Sequence, residues 1–185
     1  MDQTQDLDPQ RLTSEVLNSW YAAWNAHDVK AIAPLMTADV RYEDPAAPEL
    51  IMQGRATVET YLHSAFRGLP DLHLEKLEEW TTPGGGVIAS YFRVTATLSG
   101  PLAYPGRPTI APTNGKIDAL GMDRSEIQDG LIARHQIFWD MGEVGRQMGL
   151  SPPRGSLGEK IAFGLQNLTA RRTRRLSAFP DETGS

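Results

Sequence analysis

The stretch GMDRSEIQDGLIARHQIFWD, residues 121–140, reads as two strands folded back on each other. Gln128-Asp129-Gly130 is the break between them. A three-residue hairpin loop with glycine in the left-handed region is a common way to close such a pair. That loop sets Ile127 opposite Leu131 and, counting back, Asp123 opposite His135. Directly opposed side chains lie about 4.5–5.5 Å apart at Cβ. Side chains alternate between the faces of a strand. One face then carries Gly121, Asp123, Ser125 and Ile127 with Leu131, Ala133, His135, Ile137 and Trp139. The other carries Met122, Arg124 and Glu126 with Arg134, Gln136, Phe138 and Asp140. The first face is apolar except around Asp123 and His135. An isolated buried charge is very costly. Two readings are therefore open: a structural Asp–His pair, or polarity set into an apolar ligand cavity.

Outward from the hairpin, VIASYFRVTATL at 87–98 is a long strand rich in β-branched and aromatic residues. The PGGG turn at 83–86 joins it to a strand over 72–80. The segment 99–115 is dense in Pro and Gly and reads as a rim or lid loop. Earlier in the chain the pattern is helical. Asp8-Pro9 caps a helix with Leu12, Val16, Trp20 and Trp24 at four-residue spacing, widened by Leu17, Tyr21 and Ala23. Asp28 caps a short second helix that Pro34 limits. Gly54 precedes a third, with Val58, Tyr61, Leu62, Ala65 and Phe66 on its buried face. Helices first and an antiparallel sheet after them make an α+β fold.

Between the second and third helices, VRYEDP at 40–45 is a short strand ending in Glu43 and Asp44, stopped by Pro45. A carboxylate there either caps a turn or is a base held in a pocket.

The chain of 185 residues suits one domain with an appendage. Its net charge of -5 argues against nucleic acid as the main partner. With no cysteine, disulfides, thiolate nucleophiles and cysteine metal sites are excluded. No HExxH, close His pair, GxGxxG or P-loop pattern occurs, so neither metal nor cofactor is expected. The opening MDQTQDLDPQ lacks a basic region followed by an apolar run, and no run approaches the ~20 residues of a membrane span. A cytoplasmic protein is expected.

The helix order, NAHDVKAIAPLMTADVRYEDP at 25–45, QGR at 53–55 and QIFWD at 136–140 together resemble the nuclear-transport-factor-2-like superfamily. The resemblance implies a cone of curved antiparallel sheet, wrapped by helices around one deep pocket. It covers roughly residues 10–150. Two branches fit, the ketosteroid isomerases and the SnoaL-type polyketide cyclases. Against the isomerases, Asp44 falls on the catalytic base and Asp123 on the protonated acid that binds the enolate oxygen. Trp139 and Phe92 fall on pocket aromatics. The family's oxyanion tyrosine falls on Trp20, with Tyr21 expected to point elsewhere on the helix. Against the cyclases, GPL at 100–102, APTNGKID at 111–118 and GRQMGL at 145–150 match. That branch's aspartate on the last strand falls on Ile137, while His135 matches a pocket histidine.

The resemblance thus implies an isomerase or cyclase of secondary metabolism acting beside a carbonyl, with catalytic Asp44, Asp123 and His135. Trp20, Tyr42, Phe92, Ile137 and Trp139 would contact a hydrophobic small molecule. It also implies a homodimer. A ligand-binding or dimerisation module on the same fold is the alternative. His27 and His63 read as surface positions, and the face of His73 is ambiguous. Residues 151–185 read as a separate helical tail. Ser156-Leu157-Gly158-Glu159 is a capping box, followed by Leu157, Ile161, Leu165 and Leu168 at helical spacing, then four arginines, Leu176 and Phe179. The tail carries +3 against -8 for the rest. It either packs on the domain or a second subunit, or makes peripheral contact with a membrane or an acidic partner.

Overall fold

A computed structural model describes residues 8–47 and 49–177. The leader reading at residues 1–7, together with Pro48 and Phe179, lies outside them. Side chains from Arg171 onward are likewise not described.

The chain runs α1 (Pro9–Asn25), α2 (Val29–Ile32), a 3-10 turn (Ala33–Leu35), β1 (Met36–Glu43), β2 (Ile51–Gln53) and α3 (Arg55–Gly68). It continues with β3 (His73–Thr81), β4 (Val87–Thr97), β5 (Lys116–Gln128), β6 (Leu131–Trp139), α4 (Met141–Gln147) and α5 (Leu157–Ser177). The caps are those the sequence announces: Asp8 Oδ1 accepts from Gln10 N–H at 3.0 Å, and Asp28 Oδ1 from Ala31 N–H at 3.1 Å. Pro34 falls in the 3-10 turn, where the α2 helix ends. The strand at VRYEDP is longer than expected, beginning at Met36, and β2 pairs with it.

The strands form one sheet in the order β2-β1-β6-β5-β4-β3, antiparallel except between β1 and β6. Register shifts interrupt β1 against β6, β3 against β4 and β5 against β6. Bulges of this kind bend a strand and increase its twist. Here they accompany a curved open sheet whose inner face receives α1 and α3, the α+β cone the resemblance implied. The core between helices and sheet is built from Leu17, Trp20, Ile32, Val40, Tyr42, Val58, Leu62 and Ile88. On α1 the buried row is Thr13, Leu17, Trp20, Tyr21 and Trp24, while Leu12 is exposed. Thr13 Oγ1 donates to the carbonyls of Pro9, at 2.9 Å, and Gly85, which seats the helix start against the β3–β4 turn.

The hairpin register differs from the sequence expectation. The turn has two residues, Asp129 and Gly130, with φ of 50° and 74°. Two successive left-handed residues make the type I′ turn that Asp-Gly favours. Gln128 therefore pairs with Leu131, and Ile127 with Ile132. Ala133 is then bulged out, so Ser125 faces His135 and Asp123 faces Ile137. The slip is two residues in all. Because strand faces alternate with period 2, Asp123 and His135 keep a common face. Gly130→Ala is expected to cost about 1–2 kcal/mol, the penalty of left-handed backbone for an L side chain. Urea denaturation reads it, and a neutral effect would mean that the turn rearranges.

Candidate active site

The inner face of the sheet and the facing sides of α1 and α3 enclose a cavity of about 150 Å³. Its wall is mostly apolar: Trp20, Trp24, Phe92, Val94, Ile137, Trp139 and Met148 contribute to it. The 99–115 loop forms part of the rim, where a bridge between Leu102 and Ile110 holds the chain in place. Ser64 on α3 pins this loop, donating to the Ala103 carbonyl at 2.6 Å. Gly121 has a packing reason. A Cβ there would sit 2.7 Å from the Phe92 ring, so only glycine lets that ring lie across β5.

Asp44 projects into this cavity and is 2% exposed. It follows β1 directly, and Pro45 ends the strand. Its Oδ1 accepts from Ala46 N–H at 2.8 Å, which closes the turn. Its Oδ2 accepts from Tyr61 Oη on α3 at 2.7 Å. The two readings of Asp44 are thus compatible: one oxygen caps the turn while the other faces the pocket. Burial raises its pKa, and the Tyr61, Ala46 and Trp139 donors only partly offset this. The Trp139 indole N–H pulls in that direction without closing a well-formed hydrogen bond. Glu43, the preceding residue, points to the other face. There Arg41, Arg134 and Gln136 bind it and, against its burial, lower its pKa. Strand alternation alone separates the two acids.

Asp123 and His135 also line the cavity. Asp123 does not pair directly with His135. Its Oδ2 accepts from Tyr21 Oη at 2.9 Å and its Oδ1 from Ser90 Oγ at 2.6 Å. The two hydroxyls are themselves 2.7 Å apart, closing a triangle. The expectation that Tyr21 points away is therefore overturned. The apolar face of α1 is wide enough to bury Trp20 and Tyr21 together, and Tyr21 reaches over the Phe92 edge, 6.5 Å between ring centres. His135 pairs instead with Ser125, Oγ to Nδ1 at 2.8 Å.

His135 is 1% exposed. Burial lowers its pKa, and the nearby Asp123 charge opposes this more weakly. A histidine depressed in the fold gives stability that is full above its unfolded pKa of about 6.5. That stability is lost as pH falls through the folded pKa. Wild-type stability between pH 7 and 5 should therefore fall relative to His135→Asn, with equilibrium denaturation as the measurement. Parallel curves would mean that the imidazole is free to protonate.

Every residue expected at the site lines the one cavity: Asp44, Asp123, His135, Trp20, Tyr42, Phe92, Ile137 and Trp139. Of the residues not assigned a role, Tyr61 also lines the cavity, while Tyr21 and Ser90 hydrogen-bond to Asp123 and Ser125 to His135. A signal for Ser90 lay in its strand, where it shares the alternating buried row of Ile88, Phe92 and Val94. Among the histidines left aside, His63 and His73 are exposed. His27 is half-buried, stacks on Phe66 at 4.6 Å and binds the Leu72 carbonyl at 2.8 Å, which ties α1 to β3.

With this geometry in hand, comparison with known proteins is direct. The model of the SnoaL-like domain matches residues 17–135. The chain belongs to the SnoaL-like family. The matched span runs from α1 to β6 and contains Asp44, Asp123 and His135, whereas Ile137 and Trp139 lie just beyond it. No curated protein matches. Among solved structures, a candidate polyketide cyclase from Xanthomonas campestris pv. campestris is 17% identical, with a TM-score of 0.65 over 76% of this chain and 98% of that one. The epoxide hydrolase/cyclase-like enzyme SalBIII, described in pyran ring formation in polyether salinomycin, is 19% identical, with a TM-score of 0.59 over 74% and 96%. A protein with a ketosteroid isomerase-like fold from Catenulispora acidiphila DSM 44928, in complex with trimethylamine, is 18% identical, with a TM-score of 0.58 over 73% and 92%. At these identities the likeness is one of fold.

Proposed function

We propose that the chain is a cofactor-independent acid/base enzyme acting next to a carbonyl of a hydrophobic small molecule, as an isomerase or polyketide-type cyclase of secondary metabolism. The observation that carries this is Asp44, a buried carboxylate in an apolar cavity with its pKa raised by burial. A general base works best when its pKa approaches the working pH. Asp44 takes the proton from carbon. Asp123 and His135 make up the electrophilic side, where charge develops on oxygen. Trp20, Phe92, Ile137 and Trp139 hold the apolar skeleton.

The test of function is an absorbance assay for double-bond conjugation on a panel of β,γ-unsaturated ketones, steroidal and smaller. Turnover that Asp44→Asn abolishes supports enolisation with Asp44 as base. Turnover undiminished in that variant removes Asp44 from the mechanism. Tight binding without conversion of any ketone favours the binding module.

The same proposal takes a homodimer in the cytoplasm as the working unit, with residues 151–185 as an appendage to the domain over 1–150. What supports the dimer is α5. Its Leu157, Ile161, Leu165 and Leu168 form one stripe and are 54–73% exposed. A helix gains most of its stability by packing an apolar face. Half of the capping box is formed, with Glu159 N–H donating to Ser156 Oγ at 3.2 Å, while Glu159 Oε2 accepts from Gly155 N–H at 2.6 Å rather than from Ser156 N–H. No helix among the described residues is long and apolar enough to cross a membrane. Light scattering should give a dimer mass that Leu165→Glu halves. A monomer mass for the wild type removes the dimer.

A further inference from the structure

Three donors of cavity-lining residues have no hydrogen-bond partner among the described residues, Trp24 Nε1, Trp139 Nε1 and Tyr42 Oη, and of these Tyr42 alone is a hydroxyl. Tyr42 is fully buried, and its Oη has no hydrogen-bond partner among the described residues. Buried hydroxyls are normally satisfied, and each exception needs a reason. The site supplies one. Tyr42, on β1, stands two residues before Asp44, which directly follows the strand, and both line the cavity. Across the parallel pairing lies His135, with the two rings 5.2 Å apart. Trp20 and Tyr61 flank the phenol at 6.3 and 6.0 Å. Burial, then the charges of Asp44 and Asp123, push its pKa well above the ordinary tyrosine value. The phenol therefore keeps its proton and remains a donor. Tyr61 is committed to Asp44, and Tyr21 and Ser90 to the Asp123 triangle.

We infer that Tyr42 Oη is the catalytic donor that meets the substrate's carbonyl oxygen, with Asp123 and its hydroxyl partners acting one step behind it. This rests on the proposed proton abstraction by Asp44. The ligand class is a ketone whose α-carbon faces Asp44 while its oxygen faces Tyr42. In the step, the α-C–H bond breaks and its proton goes to the Asp44 carboxylate. The electron pair forms the C=C bond, and the carbonyl π pair moves to oxygen. Tyr42 keeps its proton throughout and donates a hydrogen bond, which strengthens as the oxygen gains charge. Return of the proton from Asp44 to carbon completes the cycle.

The test uses the full chain and 1-tetralone carrying ¹³C at its carbonyl, in D₂O. Two signals are read: the carbonyl resonance of the bound ketone and deuterium uptake at its α-carbon. In the wild type the bound resonance should move downfield, as for a strongly hydrogen-bonded ketone. In Tyr42→Phe it should return towards the value in an apolar solvent, and in Tyr21→Phe the shift should persist. Deuterium uptake should drop about 100-fold in Tyr42→Phe, the effect of removing one oxyanion donor. The melting temperature of Tyr42→Phe should hold or rise, since its hydroxyl has no partner to lose. A resonance unshifted in the wild type, a shift that survives Tyr42→Phe, or a marked drop in that variant's melting temperature overturns the assignment. A Tyr42-dependent shift with no deuterium uptake in the wild type upholds the donor and sinks the enolisation reading, so the two fail separately.

Discussion

Asp44→Asn is expected to abolish catalysis and stabilise the protein at the same time. A general base contributes about 10²–10⁴-fold to rate, and kcat should fall by that much. The stability change follows from the direction of the Asp44 pKa, which burial raises. A carboxyl that binds its proton more tightly in the fold than in the unfolded chain favours folding fully below its unfolded pKa, about 3.9. That contribution is lost as pH rises through the folded pKa. At neutral pH the wild type therefore carries the cost of a buried charge. The asparagine does not. Its amide oxygen can still accept from Ala46 N–H, and its NH₂ can donate to Tyr61 Oη, so both contacts of Asp44 survive. The melting temperature should rise by about 2–4 °C for each kcal/mol recovered in a chain of this size. The gain should shrink as pH is lowered. A variant less stable than the wild type at pH 7 would mean that Asp44 is held chiefly by its hydrogen bonds.

The largest loss of stability is expected from Trp20→Ala. Trp20 is 1% exposed and sits where helix, sheet and cavity meet. Its ring lies 5.0 Å from His135, 6.0 Å from Trp24 and 6.3 Å from Tyr42. Removing a buried tryptophan costs about 3–5 kcal/mol through lost burial and the cavity left behind. That is a large part of the roughly 5–15 kcal/mol available to a domain. Urea denaturation should show a lower midpoint with an unchanged slope. A cost under about 1 kcal/mol would mean that the aromatic cluster collapses into the space. Any retained turnover would separate the structural role of Trp20 from contact with substrate.

Much of this was legible in the chain. Strand alternation placed Asp123, His135, Ile137 and Trp139 on one face, and the structure keeps them there. Cap chemistry at Asp8 and Asp28 located the first two helices, because a side-chain oxygen satisfies backbone N–H groups locally. The VRYEDP motif led to Asp44. Each of these signals acts over a few residues, so spacing alone exposes it.

What the sequence determined, then, was the α+β class, the order of the longer elements and which face of the central strands is buried, since periodicity and capping are local properties. Only the tertiary structure decided the partners. The pairing of Asp123 with Tyr21 and Ser90, rather than His135, depends on a type I′ turn and a bulge at Ala133 that set the hairpin register, and on the packing of α1 and β4 against that hairpin, which brings together residues far apart in the chain. The unsatisfied Tyr42 hydroxyl is likewise a property of the assembled cavity, because a donor is left without a partner only once every neighbour has taken its place.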